Sequence, residues 1–155
     1  MESSNQERLR RMALWVCLGV FLVRVVGQIE VLLLAPRWLP PFSAWESGLI
    51  PYPLLLPLQI VLAAWMAAIA SDHSRGAGSM WVETAKTPRR LTGFAVVYAS
   101  IMLLRLVITV AIPPHSVLDR GLIPIFAHWD LAVFIALLAQ APASRGTAAV
   151  GRAGR

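Results

Sequence analysis

The sequence predicts an all-α integral membrane protein with four transmembrane helices, and three observations carry that reading. Of its 155 residues, 57% are hydrophobic and only 14% charged, a balance too apolar for a soluble domain of this size. Four apolar runs, residues 12–34, 49–70, 91–112 and 122–141, are each about as long as a helix needs to be to cross the hydrocarbon core. The basic residues, finally, gather on alternate connections. Arg8, Arg10 and Arg11 precede the first run; Arg75, Lys86, Arg89 and Arg90 lie between the second and third; Arg145, Arg152 and Arg155 follow the fourth. The two other connections hold Arg37 and Arg120. Positive charge stays on the cytoplasmic side, so both termini and the middle connection are expected there. The expected location is a bacterial inner membrane. Anionic lipid headgroups then account for the net charge of +6, and no nucleic acid is expected as a partner.

Residues 1–11 are polar and read as a short cytoplasmic tail that turns helical near the membrane. The first run carries polar residues throughout and lacks a small-residue cleavage pattern, so it is expected to be retained as helix 1. Within it Arg24 and Gln28 are four apart and share a face, Cys17 lies close to that face, and Glu30 points elsewhere. Cys17, the single cysteine, excludes an internal disulfide and is read as packing.

The connection 35–47 holds Pro36, Trp38, Pro40, Pro41, Trp45 and Glu46. Prolines stop the helix and tryptophans favour the headgroup level, which predicts a loop lying along the outer surface. Helix 2 starts under Pro51 and Pro53, and Pro57 inside it removes a backbone hydrogen bond. Residues 71–90, rich in Gly and Ser, form the long cytoplasmic connection; Asp72 and His73 are expected in solvent there, and Thr87-Pro88 marks a stop before helix 3. Helix 3 carries Arg105, and helix 4 carries His128, Trp129 and Asp130. Residues 142–155 read as a disordered cytoplasmic tail. The domain proper is thus residues 12–141.

An internal echo runs through this order. Helices 1 and 3 each place one arginine in an apolar setting, and each is followed by a Pro-rich outer loop, an acidic residue (Glu46, Asp119), one further residue and Gly-Leu-Ile-Pro. This predicts two tandem helical hairpins in the same orientation about an axis along the membrane normal.

Polar groups inside a bilayer face protein or water, so they point to a site. They are Arg24, Gln28, Glu30, Gln59, Arg105, His128 and Asp130. Counted back from the outer helix ends, all fall roughly 7–16 Å deep, in one layer. Two arginines balance two carboxylates, which predicts mutual ion pairs with amide partners. Because Gln28 and Glu30, like His128 and Asp130, are two apart, one of each pair must look to another side or to a partner subunit; a homo-oligomer or larger membrane complex is therefore expected. Glu46 and Asp119 suit the positive N-termini of the helices that follow as caps; the alternative places them with Tyr52 at the mouth of a pocket, with Trp38 and Trp45 as an aromatic rim that an ordinary interfacial belt would also give. No metal or other cofactor is expected, since His73, His115 and His128 fall in three separate regions without zinc-site spacing.

No nucleophile–base constellation, phosphate loop or dinucleotide fingerprint occurs. Three classes stay open, in this order: binding or transport of a small polar or amphipathic molecule in an outer-half intramembrane pocket; a non-catalytic accessory subunit; and an intramembrane enzyme using His128 with a carboxylate as acid and base.

Overall fold

A computed structural model describes residues 2–45, 50–75, 87–111 and 122–140. Among these the only elements are four helices and one short 3₁₀ turn, Phe42–Ala44. They are α1 (Glu2–Leu34), α2 (Tyr52–Ser74), α3 (Thr87–Ala111) and α4 (Leu122–Ala139). All four are long and apolar enough to cross a membrane.

Helix α1 begins at Glu2, not near residue 12, so the expected tail is the helix's first turns. Its Glu, Gln, Arg, Leu and Met residues favour helix, and no Gly or Pro interrupts it before Gly19. Arg11 pairs with Glu7 one turn back at 3.5 Å, and Arg10 Nη1 donates to the Gln140 carbonyl at 2.9 Å. The exposed ion pair contributes little; the tie to Gln140 fixes the turn on the end of α4.

Helix α2 runs one turn further than expected and takes Asp72 and His73 with it. His73 is buried, its Nδ1 3.2 Å from the Ile69 carbonyl, and the expected solvent exposure is not observed. That turn is held by the Ser74 hydroxyl, which donates to Ala70 O and accepts from Trp15 Nε1 of α1. Thr87-Pro88, expected as a stop, instead forms the start of α3, where proline needs no N–H donor.

Packing is open. Helix α1 rests on α2 and α4, and α3 rests on α4 alone; neither α1 with α3 nor α2 with α3 is in backbone contact among the described residues. Trp15–Ser74 and Gln28–Gln59 make α1 and α2 antiparallel. The core lies among α1, α2 and α4, with Leu14, Leu18, Phe21 and Val25 meeting Met66, Ile69, Phe134 and Leu138. The α1 positions follow the three- and four-residue spacing of one helix face. Among its described side chains helix α3 buries only Ala95 and Met102, seven residues apart, so it docks along one narrow stripe.

A two-fold axis relating the hairpins would turn the α1–α4 contact into an α2–α3 contact, which the described residues lack. The Gly-Leu-Ile-Pro copies also sit differently: Pro51 precedes α2, whereas Pro124 is inside the first turn of α4.

Candidate functional site

The connection after α1 builds the roof. Ala35 takes a left-handed φ of 42°, its N–H donating to Val31 O, and turns the chain back. Pro36, Pro40 and Pro41 keep the segment out of helix, and Phe42–Ala44 closes a 3₁₀ turn. Trp38 is 73% exposed, as an interfacial tryptophan should be, but Trp45 is only 7% exposed and lies inward instead of on the rim. Gly27 explains this. A side chain at Gly27 would meet the Trp45 indole at 2.6 Å, so the missing Cβ lets the ring lie on the α1 backbone. The indole N–H donates to Pro40 O at 3.1 Å, which satisfies a buried donor.

Beneath Trp45 the α1 face reads Cys17, Arg24 and Gln28. Arg24 Nη2 donates to the Trp45 carbonyl at 3.2 Å, while its Nε is buried without a partner. Gln28, fully buried, accepts a 3.1 Å hydrogen bond from Gln59 Nε2 of α2. That single bond leaves Gln28 Nε2 and Gln59 Oε1 buried and unsatisfied.

The expected ion pairs are not formed. Among the described residues the one ion pair is Arg11–Glu7. Asp130 instead lies against the Cys17 thiol, with Oδ2 buried and unpartnered. Cys17 is seven residues before Arg24, about 10 Å along the helix, which puts the carboxylate at the wrong level for the guanidinium. Glu30 is half-buried and makes no hydrogen bond or ion pair with a described residue.

His128 faces the other way from Asp130, as their spacing requires. Its ring stacks on Tyr98 of α3 at 5.7 Å between centroids. Among the described residues no hydrogen bond or ion pair joins His128 to a carboxylate. The neighbouring Trp129 Nε1 donates to Ala99 O at 3.3 Å and fixes α4 on α3. The chain matches no protein-family model, no curated protein and no solved structure.

The layer thus splits into an amide pair between α1 and α2, a thiol–carboxyl contact between α1 and α4, the bond of Arg24 to the Trp45 carbonyl, and a Tyr98–His128 stack between α3 and α4. Tyr52 stands near the roof, its ring set edge-to-face with Phe42 at 5.3 Å between centroids and its hydroxyl buried without a partner. Glu46 and Asp119 lie outside the described residues. A groove of about 550 Å³ runs elsewhere, along the first half of α1 by Arg8, Met12 and Trp15. No group of three His, Cys, Asp or Glu able to hold a metal occurs among the described residues.

Sequence reasoning passed over Tyr98; Cys17, read as packing, is part of the core and also lies against Asp130. Each had a signal in its spacing: Tyr98 is seven residues before Arg105, as Cys17 is before Arg24, so each shares a face with an arginine.

Proposed function

We propose that this protein binds, and carries across or within the bilayer, a small polar or amphipathic molecule held in the outer half of a bacterial inner membrane. In this reading the termini and the connection between α2 and α3 are cytoplasmic, and the 35–45 roof faces outward. One observation supports it above the others: the interior is polar but unfinished. Arg24 Nε, Gln28 Nε2, Gln59 Oε1 and Asp130 Oδ2 are all buried with no partner. Buried polar groups that serve only to lock helices in register are expected to satisfy one another. A resident molecule with both donors and acceptors would complete these.

The test is extraction in native-lipid particles from the source cell, followed by mass spectrometry of what stays bound. A stoichiometric small molecule in the unaltered protein, lost in a folded Gln28→Leu/Gln59→Leu variant, supports the reading. A protein partner retained without any small molecule overturns it and makes the polar layer an assembly surface.

A further inference from the structure

Set across a bilayer, helix α1 overshoots it. Its 33 residues span about 50 Å, against about 30 Å of hydrocarbon. The far end is marked: the helix stops at the exposed Leu34, Ala35 turns the chain back, and Trp38 stands exposed just beyond, as an interfacial tryptophan does. Counting about 20 residues back from Leu34, enough to fill the hydrocarbon, reaches Trp15. Helix α2 gives the same level independently. It starts beside the roof, where Tyr52 meets Phe42, crosses about 34 Å in its 23 residues, and ends at Ser74, whose hydroxyl accepts the Trp15 indole N–H at 3.0 Å. Trp15 therefore marks the second edge of the hydrocarbon, and the two turns of α1 before it lie among headgroups.

The groove of about 550 Å³ along α1 straddles that edge. Its lining includes Glu7, Arg8 and Arg11 on the headgroup side and Met12, Trp15 and Val16 on the hydrocarbon side, the last three all exposed. Arg8, Arg11, Met12 and Trp15 follow the three- and four-residue spacing of one helix face, so a single occupant can touch all four. The basic cluster is divided between two tasks: Arg10 donates to the Gln140 carbonyl at the end of α4, whereas Arg8 and Arg11 line the groove. Glu7 pairs with Arg11 at 3.5 Å, an exposed pair that contributes little and yields readily to a better acceptor. Two arginines against one carboxylate leave the described lining positive. A guanidinium fork suits phosphate oxygens. Forked donors at headgroup level, joined to an apolar strip at acyl-chain level, match a phospholipid of net negative charge; a soluble anion would leave the strip bare, and a neutral amphiphile would leave the arginines unmet.

We propose that Arg8 and Arg11 hold the phosphate of one anionic phospholipid, whose acyl chain lies along Met12, Trp15 and Val16. The site is about 20 Å along α1 from Arg24 and does not depend on what occupies the polar layer. The full chain, purified in mild detergent until free of lipid, is titrated with phosphatidylglycerol or phosphatidylcholine of identical acyl chains, and native mass spectrometry counts the copies retained. One phosphatidylglycerol per chain is expected, held more tightly than phosphatidylcholine. Arg8→Gln/Arg11→Gln should weaken that retention about tenfold or more, and Arg8→Lys/Arg11→Lys by less, since the charge stays and the fork goes. Arg89→Gln/Arg90→Gln removes the same charge from exposed positions at the start of α3 and should leave retention nearly unchanged. Phosphatidylglycerol carrying a diazirine high on its acyl chain should cross-link to residues 12–16. Unchanged helicity and a single monodisperse species show that the variants fold, and Arg8→Gln alone, at an exposed side chain, carries the test if the double variant does not.

Equal retention of the two lipids, or cross-links confined to other parts of the chain, overturns the proposal. Equal loss in the α3 double variant overturns it too, by reducing the effect to diffuse surface charge. Retention of neither lipid does the same.

Discussion

Replacing Gln28 and Gln59 by leucine, singly and together, separates a site from a spacer. In the unaltered chain one hydrogen bond joins the two amides at 3.1 Å, and two further polar atoms are buried without partners. Gln28→Leu removes the bond and leaves the whole Gln59 amide unsatisfied. Interhelical hydrogen bonds in membranes contribute about 0.6 kcal/mol on average, with a maximum of about 1.7. An orphaned buried amide adds to the loss, so each single change should cost about 1–2 kcal/mol. The double variant removes all four polar atoms and replaces each amide by a group of similar size. Its stability should fall within about 0.5 kcal/mol of the unaltered chain, and the cycle should show coupling of about 1.5 kcal/mol or more. Reversible unfolding in mixed micelles, or steric trapping in bicelles, measures this. Additive single effects, with coupling under about 0.3 kcal/mol, would refute the direct contact. A double variant less stable than either single one would refute the claim that the pair leaves polar valence unmet.

Further consequences follow from the roof and the flanking contacts. Gly27→Val should push Trp45 off α1, since even a Cβ there meets the indole at 2.6 Å; tryptophan fluorescence should redden and residues 36–45 should exchange amide hydrogen faster. Gly19→Ala meets nothing within 4 Å and should leave fluorescence unchanged while stabilising the helix by about 0.5–1 kcal/mol. Cys17 is 6% exposed and lies against Asp130, so maleimide should label it in the folded chain far more slowly than after denaturation. Cysteines placed at Trp38 and at Ser74 should be labelled by an impermeant reagent from opposite sides of sealed vesicles; labelling from the same side would overturn the proposed orientation.

Four helices were legible because hydrocarbon imposes a length and composition that no soluble helix needs. The shared face of Cys17, Arg24 and Gln28 was legible from spacing alone, as was the divergence of His128 from Asp130. The pairing was not. Depth had been counted from helix ends taken as level, which put Asp130 beside Arg24. The contacts of Arg10 with Gln140 and Cys17 with Asp130 instead set the start of α4 level with the turn around Gln28, well short of Leu34. An axial offset between helices comes from side-chain packing, and no single run records it. Trp45 failed for a related reason. Its inward place depends on Gly27, eighteen residues earlier, and only the folded loop brings the two together. Asp72 and His73 were read as solvated because the Ser74 contacts that prolong α2 are again tertiary.

What remains is whether water alone could complete the layer. Four buried unsatisfied atoms, at about 1–3 kcal/mol each, are a large cost against the 5–15 kcal/mol that typically separates folded from unfolded chains. Ordered water would relieve the amides, because it both donates and accepts. It would relieve Arg24 less completely, because it brings no negative charge to a guanidinium that has no ion pair among the described residues and a buried, unpartnered Nε. The two cases therefore separate by charge. A water-filled layer predicts that Arg24→Gln stabilises the chain, by removing a buried cation without an ion pair among the described residues. An occupied site predicts the same gain only after the resident molecule has been stripped, and a loss of stability when lipid extract of the source cell is present, since a ligand that binds the folded state stabilises it by mass action. Measuring that variant's unfolding with and without the added extract reads the sign directly. A gain under both conditions would return the layer to water.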